Sequence, residues 1–503
     1  MISPDAARKR DGADGMEVVI GLELHAQLRT RTKLFCACRA EFGARPNRHL
    51  CPICLGLPGA LPVVNRRAVA LGVRAALALG AQVRPRSAWA RKHYFYPDLP
   101  KGYQITQYEE PLAVGGVVDL PRVEGSERVE LERLHLEEDA GRLLHSTRAS
   151  ASSEAVGSRV DFNRCGVPLI EIVTRPDLRS APAAGSCMRR VKQILEHAGV
   201  SAGRLEQGGL RCDANVSLRR RGRTVPAVRS EIKNLNSYRH LVRALEAETR
   251  RQRAMMRRGA RLVSATLLWD ERAGAVRMMR SKEEMADYRY LPEPDLPPLR
   301  LPPDWVARIG ADLGETPDAR RARWEQELGV RRADAERLSA DLALADYFDA
   351  LVRCGADPQR GADFLLSELL AWRGRGEEGG FPLAPDAVAE LLRLQRERSV
   401  SARLTKQVLA EMVRTGTRAE RLLARSRWQP IRDPKQVRAW VVDVFRAHPR
   451  LVAELAAGRD ALLRFFVGEV MKRSAGRADP QRVRELLAQE LRQWASADRE
   501  GER

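Results

Sequence analysis

Between Val18 and Leu28 the chain alternates strictly: Val18, Ile20, Leu22, Leu24, Ala26 and Leu28 share one parity, and Val19, Gly21, Glu23, His25 and Gln27 share the other. A period of two is that of a β-strand, so the first set faces a core and the second shares the opposite face. Residues two apart on a strand lie about 7 Å apart, which sets Glu23 beside His25, with room at Gly21. Over Leu210–Arg219 the same arithmetic puts Leu210, Cys212, Ala214, Val216 and Leu218 inside and leaves Arg211, Asp213, Asn215, Ser217 and Arg219 together outside. Glu231 and Lys233 align likewise in Ser230–Leu235. Several strands thus offer Glu, His and Asp from one side of a sheet expected to be antiparallel. Taken one strand at a time, a solvated sheet face explains such a pattern better. Taken together, oxygen ligands plus one imidazole suit Mg²⁺ or Mn²⁺ more than zinc.

Helical spacing interrupts the strands at Ala184–His197 and Ser237–Arg257. The segment Leu291–Pro303 holds six prolines in 13 residues, which fits neither a helix interior nor a central strand and reads as a linker. Beyond it apolar residues recur at three- and four-residue spacing, as in Leu342, Ala345, Phe348 and Leu351, with breaks at Gly374–Pro385 and Trp428–Pro434. The pattern predicts an α+β chain: a mainly antiparallel sheet domain followed by helices.

Length and charge narrow the class. The 503 residues allow about three domains. The longest uncharged stretch, His49–Asn65 with His neutral, is 17 residues with three prolines, too short and too broken to span a bilayer. The first 15 residues mix Arg and Lys with Asp5, Asp11 and Asp14 and contain no apolar run, so no secretory signal is expected. A cytoplasmic protein without membrane contact is the expectation. Net charge is +21, unevenly spread: residues 1–300 carry 51 bases against 34 acids, 301–400 carry 14 against 19, and 401–503 carry 22 against 13. Basic ends around an acidic middle suit a partner with a phosphate backbone, although an Arg-rich proteome would also raise the charge; only ten of the 87 bases are Lys.

Eight cysteines do not make a disulfide framework in a chain of this length. Four of them, Cys36, Cys38, Cys51 and Cys54, form C-x-C, twelve residues, then C-x-x-C, with Pro52 and Gly56 shaping the second knuckle. Two close thiolate pairs complete a tetrahedral zinc site with no open position, so the expected zinc is structural. Neither a P-loop nor a helix-opening G-x-G-x-x-G is present, and no G-x-S-x-G appears. Phosphoryl chemistry, if any, must run on metal-bridged phosphates held by a carboxylate-lined sheet.

Six runs carry more. They are VIGLELHAQL at 19–28, RKHYFYPDLPKGYQI at 91–105, HLEEDAG at 135–141, DFNRCGVPLIE at 161–171, RCDANVS at 211–217 and EIKNLNS at 231–237. In this order they resemble the GatB component of the GatCAB tRNA-dependent amidotransferases, over about residues 17 to 490. The tail is similar too, through VSARLTK at 400–406, VGEVMK at 467–472 and GRADP at 476–480; the family more often has Gln at Glu469 and Lys-Ala-Asn at Arg477–Asp479. The resemblance implies four parts: a disordered extension at 1–16, a cradle-shaped catalytic domain related to the glutamine synthetase fold at 17–295 with the zinc knuckle at 36–54, a helical domain at 296–400, and a YqeY-like helical tail at 401–503.

It also implies a reaction. ATP would phosphorylate the side-chain carboxylate of a mischarged Glu-tRNA(Gln) or Asp-tRNA(Asn). Ammonia freed from glutamine by a partner amidase would then displace the phosphate. Glu23, His25, Glu138, Glu171, Asp213 and Glu231 become candidates for the Mg²⁺ and phosphate site. Lys92, Lys101 and Lys233 become candidates to hold ATP or acyl-phosphate oxygens, with Asp213 beside the nucleotide and Glu138, Glu171, Lys92 and Lys233 nearest the chemistry. For each lysine alone a solvated surface charge is the competing reading. The implied partners are the amidase GatA and the small protein GatC in a heterotrimer, tRNA, and the mischarging aminoacyl-tRNA synthetase.

One conflict is internal. Alternation through Leu134 and Leu136 buries Glu138 and exposes Glu137, whereas the family motif favours Glu138. A β-bulge at the pair would reconcile them; Glu138 is the candidate and Glu137 the reserve. Rival readings are the archaeal-type GatE of a Glu-tRNA amidotransferase, for whose inserted domain residues 291–330 leave no room, a non-catalytic zinc-containing tRNA-binding protein, and a free-standing ligase acting on small carboxylates.

Overall fold

The computed structural model describes residues 15–501 except 122–125, 146–156, 204, 206–207, 223–227, 282–287, 375–379, 398–399, 425–430 and 432. The expected disordered extension therefore lies, to residue 14, outside the described residues, and Met16 already opens a strand. The chain forms two compact units, residues 1–317 and 318–503.

The first unit contains strands β1 (Met16–Gln27), β2 (Gln82–Val83), β3 (Ala90–His93), β4 (Tyr103–Thr106), β5 (Ala113–Val114), β6 (Val117–Pro121), β7 (Ser126–Glu138), β8 (Pro168–Thr174), β9 (Leu210–Arg220), β10 (Ser230–Leu235), β11 (Ala265–Asp270) and β12 (Ala275–Ser281). Ten of them form one sheet in the order β12-β11-β10-β9-β1-β8-β7-β5-β2, with β6 also paired to β7. Neighbours run antiparallel except β10 and β11, which are parallel. β3 and β4 pair separately, with Leu291–Pro292 on their edge.

Helices α1 (Arg66–Ala78), α2 (Ala181–His197) and α3 (Tyr238–Arg257) cover the apolar face of the sheet. Ile20, Leu22, Leu24 and Ala26 are fully buried there, as alternation requires. Asn65 caps α1 through the Arg67 and Ala68 amides, and Ser180 caps α2 through the Ala183 amide. Gly72 lets α1 lie flat on the sheet: a Cβ there would stand 2.7 Å from Leu112 and 2.9 Å from Leu136. With one face taken by helices, the other is left for polar side chains.

The proline-rich segment is a strap rather than a free linker. Leu291–Pro292 pairs with β3, and Leu299–Arg300 pairs with Arg86–Ser87. Glu293 N–H donates to Trp89 and Leu301 N–H to Pro85, so the non-proline residues supply the hydrogen bonds that prolines cannot. Leu296 and Leu301 are buried in the first core, and the helix Pro303–Ala311 packs on α1 with Trp305, Val306 and Ile309 against that core. The first unit thus ends at Pro317, not at residue 295.

Among the described residues of the second unit the regular elements are all helices, with one isolated bridge between Ile431 and Ala478. One core runs from Trp324 to Leu423 and another from Val437 to Leu487. The expected boundary at residue 400 cuts through the first of these, because Leu404, Val408, Leu409 and Met412 on Ala402–Thr415 belong to it. The break expected at Gly374–Pro385 falls partly on 375–379, and that at Trp428–Pro434 mostly on 425–430 and 432, outside the described residues.

Candidate active site

Antiparallel register builds a carboxylate cleft on the polar face. Directly opposed residues on neighbouring strands point to the same side, with Cβ atoms about 5 Å apart. His25 on β1 opposes Glu171 on β8, which opposes His135 on β7; Glu23 opposes Asp213 on β9, and Asn215 opposes Glu231 on β10. His25 Nε2 lies 3.3 Å from Glu171 Oε2 and 3.5 Å from Glu137 Oε1, and His135 Nε2 lies 3.2 Å from Glu171 Oε2. Beside this group, Glu23, Asp213 and Glu231 bring one oxygen each within 4.8 Å of one another, as do the ligand atoms of His25, Glu137 and Glu171. Lys233 pairs with Asp213 at 2.9 Å and with Glu231; Asn215 donates to Glu23 at 2.9 Å and the Asn234 amide to Asp213 at 2.9 Å. The cleft measures about 360 Å³, and Lys92, Arg133, Arg211 and Arg229 also line it.

Its electrostatics are those of charge packed out of water. Burial pushes Glu23 and Glu137 upward, and Glu171 adds to both shifts. Burial opposes a charged His25, but Glu171, then Glu137 and Asp213, override it and hold its pKa at about 9. Glu171 is held well below the usual carboxylate range by His135 and His25 against the cost of burial, and Asp213 is lowered by Lys233 and His25 against the same cost. Lys92 and Lys233 are raised despite burial, the first by Glu137 and the second by Asp213 and Glu231.

Comparison with known proteins gives the family. Residues 18–307 match the GatB/GatE catalytic domain, and residues 346–491 match the GatB domain shared with YqeY. The chain belongs to the GatB family. Its relatives include the B subunits of the aspartyl/glutamyl-tRNA(Asn/Gln) amidotransferases of Moorella thermoacetica, 44% identical over 94% of this chain and 99% of that protein, and of Anaeromyxobacter dehalogenans, 45% identical over 94% and 98%. The Thermodesulfovibrio yellowstonii protein of the same name is 42% identical over 95% of this chain and 99% of its own length.

Within this GatB chain, two expected site residues stand elsewhere. The register runs unbroken through Leu136–Ile170, Glu137–Leu169 and Glu138–Pro168, so no bulge intervenes and alternation alone decides. Glu137, the reserve, faces His25; Glu138 turns to the other side of β7, where it pairs with Lys101 and accepts the Ile105 amide at 2.9 Å. Lys101 is occupied there too, and both line a separate cleft of about 180 Å³ beside the cysteines. Glu23, His25, Glu171, Asp213, Glu231, Lys92 and Lys233 do share the carboxylate cleft. His135, Arg133 and Arg211 were missed as candidates, although His135 has the parity of Glu137 and Arg211 that of Asp213.

Cys36, Cys38, Cys51 and Cys54 bring their sulfurs within 4.8 Å of one another, and Cys51 and Cys54 Sγ are 3.8 Å apart. Tetrahedral zinc with Zn–S near 2.3 Å places its sulfurs about 3.8 Å apart, so the donor set fits that ion. The hydrogen bond from Cys36 draws the Cys54 thiol down to about 4 against burial, with the Cys51 amide and then Lys33 adding to it; Lys33, fully buried, donates to His49 O at 2.8 Å beside this knuckle.

Proposed function

We propose that this chain is the kinase and amidation component of a glutamine-dependent aminoacyl-tRNA amidotransferase, acting on Glu-tRNA(Gln), Asp-tRNA(Asn) or both. Two adjoining carboxylate sets ringed by cations, on a chain of this family, carry the reading. A side-chain carboxylate oxygen attacks the γ-phosphorus of ATP, ADP leaves, and an acyl phosphate forms. Ammonia then attacks the acyl carbon and expels phosphate, leaving the amide. His25, Glu137 and Glu171 would hold one divalent cation, and Glu23, Asp213 and Glu231 a second. Mg²⁺ or Mn²⁺ bound there supplies charge neutralisation at phosphate oxygens. Lys92 and Arg211 project into the same cleft and suit the anionic substrate; Lys233 keeps Asp213 and Glu231 together. The sheet with helices on one face supports kinship with the glutamine synthetase fold, and the cysteine knuckle supports structural zinc. We place the chain in a cytoplasmic heterotrimer with the amidase GatA and the small protein GatC.

The test is ADP formation by the co-expressed complex. Formation that requires mischarged tRNA is expected. ADP formation with free glutamate or aspartate alone would indicate a free-standing ligase instead. None under any condition, with tRNA still bound, would leave a non-catalytic tRNA-binding protein.

A further inference from the structure

The carboxylate cleft has an aromatic wall. Tyr94, Tyr108, Tyr288 and Tyr290 line it, half of the eight tyrosines in the chain. Tyr108 and Tyr290 lie face to face, with ring centroids 3.9 Å apart and planes 8° from parallel. Tyr288 meets Tyr94 edge-on at 6.0 Å and carries the Lys92 ammonium 4.9 Å above its ring.

Tyr108 stacks on Tyr290 and is still 46% exposed, so much of its side chain remains accessible from the cleft. An open ring continuing a parallel stack accepts one more flat π-system, and every nucleobase presents one. The same cleft holds cations for the phosphates such a base would carry: Lys92, Arg229 and Arg133, the last also paired with Glu132 at 3.1 Å.

We propose that Tyr108, backed by Tyr290, is the platform on which a nucleobase stacks at the mouth of the cleft. The proposal rests on the phosphorylation reading only for its sources. The base is the adenine of ATP or the 3′-terminal adenosine of the aminoacyl-tRNA.

Direct binding to the full heterotrimer separates these sources. The probes are ATP with Mg²⁺ and the trinucleotide CCA, titrated calorimetrically into wild type, Tyr108→Ala, Tyr108→Leu and Tyr108→Phe. Tyr108→Ala and Tyr108→Leu should weaken one probe about tenfold or more, while Tyr108→Phe, which keeps the ring, stays within about twofold. Loss confined to ATP assigns the adenine ring, and loss confined to CCA assigns the terminal adenosine. Tyr108→Leu fills the volume without a π-face, so binding restored in it to the Tyr108→Phe level would reduce Tyr108 to packing and overturn the proposal. So would unchanged affinity for both probes in a folded Tyr108→Ala complex, or no binding of either probe by wild type. Wild type that binds a probe yet forms no ADP would defeat the phosphorylation reading alone.

Discussion

Adjacent glutamates on opposite sides of one strand should give opposite phenotypes. Glu138 pairs with Lys101, whose side chain is only 7% exposed, and accepts the Ile105 amide. Glu138→Ala leaves a buried ammonium uncompensated, a loss of about 3–5 kcal/mol. For a unit of this size that corresponds to a melting point lower by roughly 6–10 °C. Glu137 sits differently. Its removal takes a partner from His25 and Lys92 but also takes a like charge from Glu171 and relieves a carboxylate raised by burial. These effects oppose one another, so Glu137→Ala should change stability by no more than about 1 kcal/mol. Its ADP formation should fall by at least two orders of magnitude, about 2.7 kcal/mol of transition-state stabilisation. The assay is scanning calorimetry on the whole complex, with ADP release from mischarged tRNA measured at about 20 °C, where both variants remain folded. Glu138→Ala is expected to keep its rate within about fivefold there. A Glu138→Ala complex that melts like wild type but has lost ADP formation would refute the assignment of faces, as would the reverse pattern at Glu137.

The cysteine knuckle should carry about one zinc per chain; Cys51→Ser should lose it, and chelation should lower the melting of the first unit and not of the second, with metal-free, equally stable protein as the contrary result. Ending the chain at residue 400 strips Leu404, Val408, Leu409, Met412, Leu422 and Leu423 from the core around Trp324. At ~1.5–3 kcal/mol per buried side chain that is comparable to the whole stability of a typical domain. Proteolysis should therefore degrade the truncated second unit, whereas ending at residue 432 should leave that core resistant; equal resistance of both would count against it. Gly72→Ala places a methyl 2.7 Å from Leu112 and should cost about 1–3 kcal/mol of first-unit stability in urea unfolding, an unchanged midpoint being the contrary result.

Faces were legible in the sequence wherever alternation ran uninterrupted, because a strand leaves no choice once one residue is buried. Glu23 with His25, and Asp213 with Arg211, follow from that alone, and so does Glu137 when alternation is trusted over motif likeness. Long-range closure was less legible. Tyr94 and Tyr108 meet Tyr288 and Tyr290 only because the proline-rich strap returns along β3, and local spacing contains no such return. The strap itself was misread because proline density speaks against a central strand but not against an edge pairing of two residues.

Lys92 and Lys101 show the same limit at closer range. They stand nine residues apart in one motif, both in a chain with few lysines, and nothing in composition separates them. Register does. Lys92 on β3 opposes Gln104 on β4, and Gln104 with Thr106 lines the carboxylate cleft. Lys101 has the parity of Tyr103 and Ile105, which line the cleft beside the cysteines, and it enters that side over Gly56, where a Cβ would strike its side chain. The turn between the two strands therefore decides which lysine can meet a phosphate and which must neutralise Glu138. Its length was visible in the chain, but its register was not, because register is set by how the hairpin closes against β7.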